Sequence, residues 1–241
     1  MIKKHIKLIT LILIILSIFI IYKHTNHNNI NYTAIGDSLT IGQNSFGIID
    51  YSYADYVNDY LKSKKKNHQY IKSFSNKYLT IDKLKDNILS NQKIVIKDQV
   101  YNIRQTLRET SILTIQVGLN DLKYKISLLE IKSENNLDNI IDELDKEFNG
   151  LIKEINKYYP HKIYVIGYYK SNDDYLNLGI TKLNNIFKNK SNIEYIDIDS
   201  IMNNNKYYSS NSYFPNHYGY EAIASQIINK ITKSLENYNN Y

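Results

Sequence analysis

The sequence predicts an α/β domain, a mainly parallel five-stranded sheet held between layers of helix. Three observations point there. From about residue 31 onward, short apolar runs alternate with longer stretches of helical period. Such alternation implies right-handed crossovers, which leave neighbouring strands parallel. The run "SILTIQV" at 111–117 is apolar almost throughout, as suits a strand covered on both faces. Hydrophobic residues make up 43% of the 241, with only 8 Gly and 2 Pro, so the chain can fill a core and is not dominated by loops.

The first element is a membrane segment. Lys3, Lys4 and Lys7 precede an apolar stretch from Leu8 to Tyr22, and Lys23 opens a polar run. That charge order belongs to a secretion signal or an amino-terminal anchor. The stretch is short against the ~20 residues of a spanning helix. Ile2 and Ile6 lengthen it, and the flanking lysines can snorkel. No small-x-small cleavage site follows Tyr22. The expectation is an uncleaved signal-anchor over residues 1–24, a linker at 25–30 and a domain over 31–241. The domain then lies on the extracytoplasmic side of the cell membrane; secretion after signal cleavage is the alternative.

Within the domain, "NYTAI" (31–35) is the first strand. In "YSYADYVNDYLKSK" (51–64), Tyr53, Tyr56, Val57, Tyr60 and Leu61 form one helical stripe. "QYIKSFS" (69–75) is the second strand. "TIDKLKDNIL" (80–89) is a helix with Ile81, Leu84 and Ile88 on one face, and 100–109 is a further helical pattern. The third strand is 111–117, followed by a long amphipathic helix over 137–159. "KIYVIGYY" (162–169) is the fourth strand, 175–190 a helix and "IEYIDI" (193–198) the fifth strand. A last helix follows Pro215.

Composition removes several functions. There is no cysteine, which excludes disulfides, a thiolate nucleophile and zinc–thiolate sites. The net charge is +6, but without the four lysines of residues 1–24 the chain holds 26 basic against 24 acidic residues. A nearly neutral domain is not a nucleic-acid surface.

In parallel sheets the ligand site lies at the carboxyl ends of the strands. After the first strand comes Gly36-Asp37-Ser38, which can present a hydroxyl at the sheet edge. After the third comes Gly118-Leu119-Asn120-Asp121, where the asparagine amide can donate to a developing oxyanion. Each motif alone reads equally as a turn or helix cap. Their place at successive strand ends makes the pair informative.

"GDSL" after strand one, "GxND" after strand three and "PNxxGYxxIA" opening the last helix resemble the SGNH, or GDSL-type, serine hydrolases, over about residues 31–232. The resemblance implies a flavodoxin-like three-layer α/β/α sandwich and acyl-ester chemistry without a metal or cofactor. It makes Ser38 the nucleophile, with its own amide in the oxyanion hole, and Asn120 the side-chain donor of that hole. Gly36, Asp37 and Gly118 would shape the supporting turns. The implied partner is an acyl-ester small molecule, lipid or glycan.

Two blocks depart from the family pattern. No glycine lies between Ser73 and Leu84, where the family commonly supplies a second oxyanion amide; Asn76, Lys77 or Tyr78 takes its place. In the last block, Phe214 stands at the histidine position and Asn211 at the acid position. Neither can take up a proton or steady an imidazolium. His217, three residues on, is the imidazole left near the site, since His68 and His161 precede strands and His5, His24 and His27 lie in the anchor or linker. An extracytoplasmic serine esterase or deacetylase using Ser38, Asn120 and His217 is therefore expected. A degenerate relative that binds an acylated glycan or lipid, or a cell-surface acyltransferase, are the alternatives.

Overall fold

The computed structural model describes residues 30–64, 67–209 and 213–239, together with residues 12 and 15–17. Nearly all of the expected anchor, and Asn211, lie outside the described residues. Among the described residues no helix is long and apolar enough to cross a membrane.

The sheet strands are β1 (Ile30–Gly36), β2 (Asn67–Ile71), β5 (Ile112–Gln116), β6 (Ile163–Ile166) and β7 (Ile193–Ile196); β3 (Lys93–Ile96) and β4 (Gln99–Asn102) form a separate hairpin. The helices are α1 (Ser38–Ile41), α2 (Tyr53–Ser63), α3 (Ile81–Leu89), α4 (Ile103–Glu109), α5 (Leu119–Ser127), α6 (Glu134–Ile155), α7 (Asp174–Lys188), α8 (Asp199–Met202) and α9 (His217–Asn239). The sheet order is β2-β1-β5-β6-β7 and every pairing in it is parallel. This is a flavodoxin-like order, with its reversal between β1 and β5. Helices α2 and α9 pack together, while α3, α5 and α7 all pack against α6.

Burial explains the layers. Every residue of β5 and β6 is buried, as apolar strands under two helical layers must be. Along α6, Leu137, Ile140, Leu144, Phe148, Leu151 and Ile155 recur at helical spacing and are buried. The Ser133 hydroxyl starts that helix by accepting the Asn136 amide at 3.2 Å. On α2, Tyr53, Val57 and Leu61 are fully covered, Tyr56 and Tyr60 partly. Burying an aliphatic side chain of this size contributes about 1.5–3 kcal/mol. Two of the buried phenols are paired: Tyr53 shares a 2.6 Å hydrogen bond with Thr40, and Tyr32 a 3.0 Å one with Thr114.

Three local expectations change. The helical pattern over 100–109 begins as a strand: β4 pairs with β3 through Lys97 and Asp98, whose φ of 46° and 64° is the positive pair a two-residue hairpin turn needs. No glycine marks that turn, so its signal is weak. Only from Ile103 does the chain become helical, capped by the Asn102 side chain on the Gln105 amide at 3.0 Å. Second, 119–127 is a helix, with Leu119, Leu122 and Ile126 on its buried side. Third, β2 stops at Ile71, and Ser75 turns back to brace β1. Its hydroxyl accepts the Gly36 amide and donates to the Ala34 carbonyl, each at 3.1 Å.

Candidate active site

The strand-order reversal leaves a crevice at the carboxyl ends of β1 and β5. Ser38 opens α1 directly after β1, and Asn120 lies in the first turn of α5 after β5. Both turns depend on glycine. A Cβ on Gly36 would sit 2.0 Å from Thr40 Oγ1 and 2.7 Å from the Gln116 carbonyl oxygen. Gly118 adopts φ +123°, a conformation L side chains rarely take.

Ser38 and Asn120 converge on one atom. Ser38 Oγ donates to the Lys77 carbonyl oxygen at 3.2 Å, and Asn120 Nδ2 donates to that same oxygen at 3.1 Å. Asn120 Nδ2 also reaches the Leu79 carbonyl at 2.9 Å. A carbonyl group thus sits within reach of both the hydroxyl and the amide. The Ser38 backbone amide, in the first turn of α1, is among the donors a helix leaves without an intrahelical acceptor. The stretch that lacks the family's glycine presents a carbonyl here. The Asn76 amide goes to the Gly36 carbonyl at 3.1 Å, and the Tyr78 amide to Asn76 Oδ1 at 2.9 Å.

Asp37 is buried and caps α1. It accepts the Leu39 amide at 3.2 Å and the Tyr168 hydroxyl at 2.7 Å. Burial pushes its pKa up to about 6, against those donors and the nearby charge of Lys123. Asp121 is also buried; both its oxygens accept the Ile81 amide, at 3.1 and 3.2 Å, so it closes the start of α3. Burial pushes its pKa up to about 7.

The last block is a scaffold. Asn216 Nδ2 donates to the carbonyls of Lys206 (2.8 Å) and Tyr208 (3.2 Å), its Oδ1 accepts the Gly219 amide (3.1 Å), and its own amide bonds the Tyr207 carbonyl (2.8 Å). The Tyr220 hydroxyl ties α9 to the Gln43 carbonyl at 2.6 Å. Phe214 is half-buried and meets the Tyr213 ring edge-on at 5.7 Å between centroids. His217 begins α9, is exposed and lies against the Tyr218 ring at 3.8 Å. Among the described residues it makes no hydrogen bond with Ser38, whose hydroxyl bonds Lys77 instead. His161 stands before β6, at the opposite sheet edge, beside the Tyr159 ring.

Next to Tyr213 opens a cavity of about 1120 Å³ between the segments after β6 and β7. Tyr169, Tyr208 and Tyr213 form an aromatic wall, and Asp173, Asp199 and Asn203 supply polar groups. Tyr169 stacks on Tyr213 at 4.8 Å, with its hydroxyl on the Tyr213 carbonyl at 2.7 Å. The Tyr213 hydroxyl is buried and has no partner among the described residues.

Sequence reasoning missed two groups here. Tyr168, which binds Asp37, stands just past β6, where a strand-end search would find it. Lys77 acts through its backbone, which no side-chain pattern discloses.

The profile of the GDSL-like lipase/acylhydrolase family matches residues 32–227. Similar solved structures include a lipase from a goat rumen metagenome (18% identity, TM-score 0.64, covering 83% of this chain and 96% of that one). A lipase/acylhydrolase from Enterococcus faecalis shares 13% identity at TM-score 0.60, over 85% of this chain and 96% of that one. An acetylxylan esterase from Geobacillus stearothermophilus shares 15% at TM-score 0.54, over 85% and 95%. At 13–18% identity these are likenesses of fold. No curated protein matches the chain.

Proposed function

This chain belongs to the GDSL-like lipase/acylhydrolase family, a family of serine ester hydrolases, and on that premise we propose that Ser38 attacks acyl esters carried on a glycan. The convergence of Ser38 Oγ and Asn120 Nδ2 on a single carbonyl oxygen carries the reading. An ester carbonyl that displaces Lys77 from that point meets the hydroxyl, the Asn120 amide and the Ser38 amide together. Charge developing on its oxygen is then held by donors already in place. Attack of Ser38 releases the alcohol and leaves an acyl-serine, which water cleaves.

The cavity supports a glycan as the alcohol part. Tyrosine faces suit the apolar faces of sugar rings, and the Asp and Asn side chains suit their hydroxyls. The apolar segment Leu8–Tyr22 supports a membrane-anchored enzyme with its domain outside. If that is right, the full chain stays with membranes after a high-salt wash, and its domain is open to protease from the outer side only.

The test is hydrolysis of short p-nitrophenyl esters and of acetylated xylo-oligosaccharides by the full chain. Activity that disappears in Ser38→Ala supports the reading, and release of acetate from the oligosaccharide supports the glycan. Among the described residues no imidazole is bonded to Ser38, which favours one other reading, a protein that binds the acylated glycan without turnover. Binding of the oligosaccharide by wild type and Ser38→Ala alike, with no hydrolysis by either, would establish it.

A further inference from the structure

The site holds a nucleophile and an oxyanion donor, yet among the described residues the Ser38 hydroxyl is hydrogen-bonded to no basic side chain. The hydroxyl donates its proton to a backbone carbonyl, and Phe214 occupies the aligned base position. Attack by a neutral hydroxyl needs an acceptor for that proton. A second feature of α5 answers this need. Lys123 follows Asn120 by three residues, so the two side chains rise from the same helix face. Its Nζ stands 4.8 Å from the centre of the Tyr213 ring, and that ring abuts Phe214. The amine therefore lies against the ring of Tyr213, the residue next to Phe214 in the chain. Two nearby lysines are tied into ion pairs, Lys125 to Glu143 and Glu147 and Lys182 to Glu134 and Asp138. No described carboxylate pairs with Lys123 in this way, and the acid whose charge reaches it is Asp37, the neighbour of Ser38.

We propose that Lys123 is the general base of this site, forming a Ser38–Lys123 pair in place of the missing imidazole. The inference rests on the reading of Ser38 as nucleophile. The neutral amine takes the Ser38 Oγ proton as the Oγ–carbon bond forms and the carbonyl electron pair moves to oxygen. Collapse of the tetrahedral adduct breaks the ester C–O bond, and the Lys123 ammonium protonates the departing alkoxide. In the second half water loses a proton to Lys123 as it attacks the acyl carbon, and Ser38 leaves with that proton. Ester and water become acid and alcohol, and the enzyme is restored. Surrounding groups set the balance of the amine. Asp37 at the end of β1 favours the ammonium, as does the Tyr213 ring from the segment before α9. Tyr168 after β6 holds the Asp37 carboxylate through its hydroxyl. Desolvation acts the other way, and the net result lies below the ordinary lysine value.

The experiment compares wild type, Lys123→Arg, Lys123→Gln, His217→Ala and Ser38→Ala as full chains. It records the pH profile of kcat/KM on p-nitrophenyl acetate and the rate at which a fluorophosphonate labels Ser38. Arginine keeps the charge and cannot accept a proton near neutral pH. The expected result is a fall of about 100-fold in kcat and in labelling for both Lys123 variants, with KM changed little, and loss of the ionisation that governs the ascending limb of the profile. Wild-type rates in Lys123→Arg overturn the proposal, as does a profile whose ionisation vanishes in His217→Ala and survives in Lys123→Arg. In both of those cases Ser38→Ala is still inactive and the hydrolase reading stands. A wild type that neither turns over ester nor labels at Ser38 overturns both.

Discussion

The carboxyl ends of β1 and β5 and the segment before α9 treat their family motifs differently. At the strand ends, chemistry and scaffold coincide: Ser38 is both the hydroxyl that bonds Lys77 and the first residue of α1, and Asn120 is both amide donor and part of α5. Before α9 the two are separated. Asn216, Pro215, Gly219 and Tyr220 keep the packing and hydrogen bonds that place the helix, while the positions beside them hold Phe214 and Asn211. A Cβ on Gly219 would come within 2.7 Å of both the Pro215 side chain and the Tyr207 carbonyl, so this glycine is needed for packing alone. The lesson is that the hydrogen bonds and packing of a family block can be kept where the residues at its histidine and acid positions differ. On a loop, the reacting side chain can change without disturbing the bonds that hold the loop.

The sharpest way to break this comparison is at the strand ends. Asn120→Ala is expected to lower kcat for short esters by about 10²–10³-fold, the range for losing one oxyanion donor. An unchanged kcat would mean that the convergence on Lys77 has no counterpart with substrate. In the last block the opposite change is informative. If the scaffold there is intact, Phe214→His with Asn211→Asp should raise kcat/KM by about 10²-fold, since a positioned imidazole contributes at least that much. No gain would show that the aligned position is not a base position in space.

A smaller effect tests the scaffold itself. Asn216→Ala removes three side-chain hydrogen bonds and leaves the Lys206 and Tyr208 carbonyls without that donor. It should cost about 2–3 kcal/mol in urea unfolding. A loss near zero would deny Asn216 its structural part.

A further test concerns Asp121, beside Asn120. Its folded pKa is raised from 3.8 to about 7 by burial, so the folded state prefers it protonated. Its contribution is then fully present below about pH 4 and is lost as pH rises through about 7. Asp121→Asn should flatten that part of the stability–pH curve, with the variant gaining on wild type most at pH 8. Thermal melts at pH 4, 6 and 8 check this, and parallel curves for the two proteins would contradict it.

Much of this molecule is written in local patterns. Alternating strand and helix segments, the buried stripes of α2, α3 and α6, and "SILTIQV" suffice for a parallel sheet, because period and burial are local consequences of side-chain order. The strand-end rule then singles out Ser38 and Asn120 with no coordinates. What sequence left open depended on contacts between distant segments or on backbone groups. The hairpin at Lys97 and Asp98 turns through positive φ without the glycine that would announce it. Ser75, expected inside a strand, closes β1 instead. The carbonyl at the meeting point of Ser38 and Asn120 comes from Lys77, about forty residues from either in sequence. Lys123 meets Tyr213 across ninety positions, a contact made only once α5 and the segment before α9 are brought together at the sheet edge. Periodicity records which face a residue turns toward the core; it carries no record of which groups from other segments wait there.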